Sequence, residues 1–253
     1  MRFGVCAPIS DAAFIASMGF DYLEVNVASI AAMTDEEFEA FCAENEKASI
    51  HAEAANILFP GTVRLTGPEV DWDGVEAYIE RALSRLGRAG IKVAVFGSSG
   101  SRKVPEGFDM QEAWQQLVKV GRMLGGTAAK YGVTIALEPL RKAETNIINR
   151  QDEGLKLVEE VGHPHFRLLT DLYHLVQEGG TAEDVKACGN VFAHVHIAKP
   201  DDRKAMYPGD GMDYASFFAA LRAVGYDARI SFEGDGGDRE KTLPLILEVM
   251  KQA

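Results

Sequence analysis

The chain repeats one pattern eight times: a short apolar run, then a longer amphipathic segment. We predict the eight runs as strands, over residues 2–6, 22–26, 48–52, 93–97, 134–138, 167–171, 193–197 and 229–233. The segments between them, such as 74–90 and 113–132, carry apolar residues three and four positions apart, which is typical of helices that pack on a sheet. Eight strand–helix units in 253 residues favour an α/β fold, the (β/α)8 barrel.

The segment CAPISD, residues 6–11, bears on the main alternative fold. An open doubly wound sheet also alternates strands and helices, but it usually carries a glycine-rich nucleotide turn after its first strand. Residues 6–11 contain no glycine. We therefore predict a closed barrel. Because no linker or low-complexity tract interrupts the pattern, we expect one domain over residues 1–253.

Charge and terminal sequence restrict the partners and the location. The 38 acidic residues outnumber the 26 basic ones, and the net charge of −12 would repel the phosphate backbone of a nucleic acid. The amino terminus lacks the segments of a signal peptide, and no apolar run approaches the roughly 20 residues of a membrane span. We expect a cytoplasmic protein that binds neither nucleic acid nor membrane. Its three widely spaced cysteines form neither a disulfide framework nor a thiolate zinc site.

Four consecutive predicted strands end on residue types that bind metals: Glu138, Asp171, His196 and Glu233. The carboxyl ends of barrel strands meet at one face of the fold, where barrel enzymes carry their sites. In strand 134–138, alternation puts Glu138 on the same face as the small Ala136, which suits the barrel interior. Buried carboxylates repel one another, and a divalent cation removes that cost. These strand endings predict one metal site.

Three carboxylates and one imidazole form an oxygen-rich ligand set. Such a set favours Mn²⁺ and also accommodates Mg²⁺, Co²⁺ or Zn²⁺. His196 is nearer the end of its strand, so we expect it to bind the ion. His194 lies one layer deeper on the same face, and we expect it to support the ligands or belong to the core.

Further polar residues follow these strands or lie in the first half of the chain. The loops after strands five to seven bring an acid, an imidazole and two cations over the barrel mouth, where they would hold the oxygens of a polyol: Glu144, His174, Lys199 and Arg203. His51 lies in the predicted third strand and is expected to reach the site from the opposite wall. Glu24 ends the second strand, where a substrate contact and a structural hydrogen bond are equally compatible with its position. The alternative for each residue is an ordinary surface charge, loop hydrogen bond or core histidine.

Several motifs together resemble those of the xylose-isomerase-like barrel superfamily. They are ALEPL (136–140), TDLYH (170–174), HVHIA (194–198), YPGDG (207–211) and ISFEG (230–234). Within that superfamily the chain is most similar to the sugar isomerase/epimerase group, which includes ketose 3-epimerases and hydroxypyruvate isomerases. The likeness extends over nearly the whole chain and implies a TIM barrel.

The resemblance also implies roles for individual residues. In ketose 3-epimerases the residues matching Glu138, Asp171, His196 and Glu233 bind one divalent metal, and the two glutamates form the acid/base pair. The residues matching His174, Arg203 and Glu144 hold the substrate. Arg203 lies one residue further from its histidine than the matching arginine of those enzymes.

The constellation predicts proton transfer at a carbon next to a carbonyl. Such a reaction needs a Lewis acid to stabilise an enediolate, together with a placed base. Glu138 or Glu233 would remove the proton. Its return from the opposite face would invert the carbon, and its return to the neighbouring carbon would interconvert aldose and ketose. The expected function is a metal-dependent isomerase or epimerase of a small ketose or related polyol.

The sequence leaves other functions open. A lyase would dehydrate an inosose or keto-sugar through the same enolisation, and a non-catalytic barrel would bind metal and sugar without turnover. An abasic-site endonuclease is disfavoured for two reasons. It needs three metals and therefore more ligands than the six histidines here readily supply. The net charge of −12 would also repel DNA. Oligomeric state is open, and a homo-oligomer is compatible with the sequence.

Overall fold

A computed structural model describes all 253 residues, and its sheet is a closed barrel. Eight parallel strands follow one another around the barrel in chain order, and the last pairs with the first. The strands are β1 Arg2–Cys6, β2 Tyr22–Asn26, β3 Ala52–Asn56, β4 Val93–Phe96, β5 Thr134–Leu137, β6 Phe166–Asp171, β7 Phe192–Ile197 and β8 Arg229–Phe232. The (β/α)8 barrel predicted from the eightfold repeat is confirmed.

Helices connect the strands and cover the outside of the barrel. They are α1 Ala12–Ser17, α2 Val27–Ala32, α3 Asp35–Lys47, α4 Trp72–Arg88, α5 Ser99–Arg102, α6 Met110–Tyr131, α7 Gln151–Val161, α8 Leu172–Gln177, α9 Ala182–Ala187, α10 Tyr214–Ala223 and α11 Arg239–Gln252. The longest, α6, begins after Asp109, whose carboxylate accepts from the backbone N–H of Glu112 at 2.8 Å. It ends at Gly132, which has a left-handed φ of 65°. None of the helices is both long enough and apolar enough to cross a membrane.

Strand alternation divides the apolar residues into two layers. Six of them form a separate cluster inside the barrel: Tyr22, Ala54, Val93, Val95, Ala136 and Leu169. The residues that point outward from the strands, among them Ile135 and Leu137 of β5 and Phe232 of β8, belong to the large cluster that packs the strands against the helices. This is the arrangement that alternation predicted for β5, and it puts Glu138, the next residue on the inner face, at the barrel mouth.

The predicted strand limits agree with the structure to within one residue, except at the third strand, where the prediction is wrong. Residues 48–51 are not part of a strand: Ala48 caps α3, and the backbone N–H of Ala52 donates to the Asn45 side chain at 2.8 Å. Strand β3 consists of the alanine-rich run AEAAN. Alanine has a low intrinsic preference for strands, so local propensity favours the preceding run ASIHA, which contains an isoleucine, over AEAAN. The crowded barrel interior, however, accommodates small side chains well.

Candidate metal centre and active site

The four predicted metal ligands converge at the carboxyl ends of β5 to β8. One ligand atom from each of Glu138, Asp171, His196 and Glu233 lies within 4.8 Å of those of the others. Strand register explains the convergence, since Asp171 lies beside His196 in the sheet and His196 beside Ser231, two residues before Glu233. Three of the four side chains are buried, and the side chain of Glu233 is 19% exposed.

The chemistry of this cluster fits a divalent metal ion. It brings three carboxylates together out of water, where their mutual repulsion is only weakly screened. The Oδ2 atom of Asp171 is buried and has no hydrogen-bond partner, and a buried polar atom of this kind is normally satisfied by a hydrogen bond or an ion. Carboxylate oxygens and one imidazole nitrogen are suitable ligands for Mn²⁺, Mg²⁺, Co²⁺ or Zn²⁺.

The two ring nitrogens of His196 face different surroundings. Nδ1 lies 3.2 Å from Oε1 of Glu138 and 3.1 Å from Oε2 of Glu233, so this nitrogen faces the ligand cluster. Nε2 lies 2.9 Å from Oε1 of Glu24, on the side away from the cluster. Nδ1 is therefore the atom available to an ion held by the carboxylates.

The second histidine of the HVHIA motif lies one layer deeper, as alternation predicts. Nε2 of His194 lies 2.7 Å from Oε2 of Glu24 and 3.3 Å from the Ser231 hydroxyl, which contacts the Tyr22 hydroxyl at 2.8 Å. Both histidines thus meet the same carboxylate. Glu24 lies at the centre of β2, not at its end as expected from the sequence. Of the two interpretations that the sequence left open for Glu24, the structure supports the hydrogen bond, since this side chain is fully buried.

The surroundings shift the pKa values of the two cluster glutamates in opposite directions. Burial raises the pKa of Glu138 above its ordinary value. Burial acts in the same direction on Glu233, but His196 and the Arg203 guanidinium outweigh it and lower the pKa of Glu233 to about 2. A pair of carboxylates with separated pKa values is typical of acid/base catalysis.

Three of the predicted substrate-binding residues line one cavity beside the cluster. The cavity has a volume of about 450 Å³ and includes Glu144, His174 and Arg203 together with Glu138 and Glu233. The Arg203 guanidinium donates to Oε2 of Glu233 at 2.5 Å. Arg203 adopts a left-handed φ of 59°, and its backbone N–H donates to Lys199 O at 2.9 Å.

His174 presents one nitrogen to this region without a partner. Its Nδ1 accepts a hydrogen bond from the backbone N–H of Arg141 at 3.3 Å, so the proton of the neutral ring lies on Nε2. Nε2 is buried and unpartnered. Burial lowers the pKa of His174, which favours the neutral form. The imidazole can therefore donate a hydrogen bond from Nε2.

The structure does not bring His51 to the site, which corrects the expectation from the sequence. His51 precedes β3, and its Nδ1 contacts the backbone carbonyl of Asn45 at 2.6 Å at the amino end of the strand. Asn56, at the carboxyl end, lies five residues further on, or roughly 17 Å along an extended strand. The wrong limits of the third strand caused this error.

Lys199 is also separate from the cavity. Its ammonium pairs with the carboxylate of Asp201 at 3.1 Å, within the loop that follows β7. The residues that line the cavity do not include Lys199. The loop thus brings Arg203, but not Lys199, to the cluster of carboxylates and imidazole.

Two residues of the site escaped the sequence analysis. Asn56 donates from Nδ2 to Oε1 of Glu233 at 2.9 Å, and correct limits for β3 would have placed it at the barrel mouth. Gly97 leaves room for Glu138: a Cβ at position 97 would lie 2.3 Å from Oε2 of Glu138. A glycine at the last position of the predicted fourth strand, residues 93–97, is the signal for such a close approach.

Comparison with known proteins identifies relatives of this chain. The family model of the xylose isomerase-like TIM barrel matches residues 12–253. An L-ribulose 3-epimerase of Methylomonas sp. (strain DH-1) is 41% identical over 112 residues, which cover 44% of this chain and 38% of that protein. An L-ribulose 3-epimerase of Mesorhizobium japonicum is 28% identical over 161 residues, which cover 63% of this chain and 53% of that protein. The chain thus spans less than two thirds of the length of both relatives.

The solved structures include a closely similar fold. D-allulose 3-epimerase from Methylomonas sp., in complex with D-allulose, superposes with a TM-score of 0.87 at 24% sequence identity. The superposition covers 100% of this chain and 96% of that one. This similarity supports the closed barrel from the first strand to the last helix.

Proposed function

The chain belongs to the xylose isomerase-like TIM barrel family, and on that premise we propose that it is a divalent-metal-dependent epimerase or isomerase of a small ketose or related polyol. The observation that carries the proposal is the position of Glu138 and Glu233. Their carboxylates approach the same imidazole nitrogen, at 3.2 and 3.1 Å, and both line the cavity. The relatives named L-ribulose 3-epimerases support a ketose as the substrate.

The residues that would hold the metal are Glu138, Asp171, His196 through Nδ1, and Glu233. The ligand set favours Mn²⁺, and Mg²⁺, Co²⁺ and Zn²⁺ also suit it. A divalent ion bound there supplies Lewis-acid stabilisation for negative charge on sugar oxygens. The two glutamates are close enough to the same cavity to serve in addition as the proton-transferring pair.

In the proposed reaction, one glutamate removes a proton from the carbon next to the sugar carbonyl. In one direction of the reaction, Glu233 takes the proton as a carboxylate and Glu138 supplies the returning proton, and in the other direction the two roles exchange. Return of a proton from the second carboxylate to the opposite face inverts the carbon, which is epimerisation. Return to the adjacent carbon is aldose–ketose isomerisation.

The remaining cavity residues hold and orient the substrate in this proposal. His174 donates from Nε2 to a sugar oxygen, because that nitrogen carries the proton and has no partner within the protein. Arg203 and Glu144 lie on the same wall, with Nη1 of Arg203 3.8 Å from Oε1 of Glu144. The guanidinium can donate a hydrogen bond to one sugar hydroxyl, and the carboxylate can accept a hydrogen bond from a neighbouring one.

The test is incorporation of deuterium from D₂O into a panel of free and phosphorylated ketoses. Metal-stripped protein is compared with the same protein after addition of Mn²⁺. We expect metal-dependent incorporation at one carbon, at constant product mass apart from the deuterium. A product lighter by one water would instead indicate a dehydratase. Tight metal binding with no exchange in any sugar of the panel would favour a non-catalytic binding barrel.

A further inference from the structure

We propose that Glu24 is a positioning residue that fixes the tautomer of His196, so that the lone pair of Nδ1 faces the metal ligands. The inference rests on the proposed metal centre. Glu24 is in the second strand and belongs to none of the four strands that carry the ligands. It acts on the centre only through His196.

Both carboxylate oxygens of Glu24 are used by histidines. Oε1 lies 2.9 Å from Nε2 of His196, and Oε2 lies 2.7 Å from Nε2 of His194. The side chains of all three residues are fully buried. Water does not compete for these contacts, and Glu24 has no exposed oxygen left for a substrate.

The chemistry of a carboxylate sets the direction of these hydrogen bonds. The Glu24 carboxylate bridges the two imidazoles, with one oxygen at each Nε2, at 2.9 Å from His196 and 2.7 Å from His194. An ionised carboxylate only accepts hydrogen bonds, hence each Nε2 must donate a proton. A neutral His196 that carries its proton on Nε2 exposes a lone pair on Nδ1. The opposite tautomer would direct an N–H at the cluster and a lone pair at Glu24.

His194 explains why the carboxylate stays in place. Its hydrogen bond occupies the second oxygen, so that Glu24 is held between two rings rather than free to rotate towards the cluster. Nδ1 of His194 is buried without a partner, which agrees with a neutral ring that carries its only proton on Nε2. The Ser231 hydroxyl, 3.3 Å from the same Nε2, continues the network towards Tyr22 and away from the metal ligands.

The same atoms suggest a competing role that the test must separate. Cys6, Glu24 and His196 also offer ligand atoms within 4.8 Å of one another. In the tautomer proposed above, Nε2 of His196 carries a proton and therefore offers no lone pair to an ion beside Cys6 and Glu24. We therefore expect one bound ion per chain, not two.

The experiment measures the affinity of metal-stripped protein for Mn²⁺ by calorimetry. Glu24→Gln keeps the shape of the side chain, but its single amide oxygen satisfies only one imidazole N–H, and its NH₂ group faces the other ring. We expect the dissociation constant to rise about 10- to 100-fold, the usual effect of removing such a partner of a metal ligand. The matched control is Ser231→Ala, which removes a hydroxyl that hydrogen-bonds Tyr22 and His194 but not His196, and it should leave the dissociation constant within twofold.

A second measurement needs no variant and so does not depend on whether Glu24→Gln folds. In ¹⁵N-histidine-labelled wild-type protein loaded with Zn²⁺, we expect the His196 resonances to report a protonated Nε2 and a metal-bound Nδ1. The reverse assignment, or an unchanged Mn²⁺ affinity in folded Glu24→Gln, would overturn the role of Glu24. Two ions per chain would favour the Cys6 site instead. Absence of metal binding by the wild type would contradict the proposed function itself.

Discussion

Glu138 reaches the barrel mouth because the backbone beside it carries no side chain. A Cβ at position 97 would lie 2.3 Å from Oε2 of Glu138. That oxygen is the end of a flexible side chain, so the protein can fold around an added methyl group by moving the carboxylate. The absence of a side chain at Gly97 is therefore needed for the position of the Glu138 carboxylate, but not for the fold.

Gly97→Ala is expected to weaken Mn²⁺ binding by roughly tenfold or more, because it displaces a metal-binding carboxylate. Calorimetry on metal-stripped protein measures the effect, and circular dichroism checks the fold. Gly126→Ala is the matched control, since a Cβ there meets no atom within 4 Å. Equal affinities for the two variants would show that Glu138 does not need the space beside Gly97.

Arg203 and Lys199 are cations of the same loop that the structure treats differently. Arg203→Lys keeps the charge but loses the planar guanidinium that reaches Glu233 at 2.5 Å and stacks over Tyr173 at 5.3 Å. We expect kcat/KM on an identified sugar to fall roughly 10- to 100-fold, the range of a charged hydrogen bond. Lys199→Ala should change it less than twofold. A comparable loss in both variants would return Lys199 to the site.

The residues of the site differed in how far the sequence could predict them. Glu138, Asp171, His196 and Glu233 were predictable because each stands at the end of a recognisable strand. Asn56 contacts Glu233, which follows the distant strand β8, at 2.9 Å, and Gly97 leaves space for the Glu138 side chain beyond the neighbouring β5. Such contacts follow from the closure of the barrel and are not encoded in any local pattern.

At the level of elements, helix α6 illustrates how one substitution has opposite effects at two positions. Gly126 lies on the exposed side of the helix interior, whereas Gly132 ends the helix with a φ of 65°. Alanine at 126 restores helix propensity and should stabilise the protein by about 1 kcal/mol. Alanine at 132 is forced into the left-handed region and should destabilise it by about 1 kcal/mol.

Thermal unfolding measures both changes. For a chain of this size, 1 kcal/mol corresponds to roughly 2–4 °C in Tm, so Gly126→Ala should unfold at a higher temperature and Gly132→Ala at a lower one than the wild type. Shifts of the same sign would contradict the helix limits given above. The positions of both glycines were predictable only in part, because sequence marks Gly132 as a helix end but does not tell which face of α6 carries Gly126.

The third strand shows why strand limits were harder to predict than strand number. Seven strands contain β-branched or large apolar residues that mark them, whereas β3 reads AEAAN. Its alanines are buried on both faces of the strand, Ala54 inside the barrel and Ala52 and Ala55 against the helices. This packing, rather than local propensity, favours them. The shift of four residues moved His51 from the barrel mouth to the opposite end and concealed Asn56.

At the scale of the whole molecule, the proposed ion ties together four strands that are otherwise joined only through the sheet and core. An ion that binds the folded chain and not the unfolded one should stabilise it by about 2.7 kcal/mol at 100 times the dissociation constant. We therefore expect Mn²⁺ to raise Tm by roughly 5–10 °C, with EDTA reversing the shift. The same titration of Asp171→Asn, which keeps the side-chain shape, should show a much smaller rise. An equal rise in this variant would place the stabilising ion elsewhere.

The eightfold repeat made the closed barrel predictable as a whole, because short parallel strands separated by amphipathic helices have few ways to bury both faces of the sheet. The repeat also fixed which end of the barrel carries the site. It did not show that Glu24 of β2 would contact both histidines of β7. That contact exists only because the closed barrel brings β2 across the interior from β7.

The most direct test of the proposed metal centre is the anomalous scattering of manganese in crystals grown with Mn²⁺. We predict one strong peak per chain, within bonding distance of carboxylate oxygens of Glu138, Asp171 and Glu233 and of Nδ1 of His196. A peak bound by Cys6, Glu24 and Nε2 of His196, or no peak at the barrel mouth in protein that binds Mn²⁺ in solution, would contradict it.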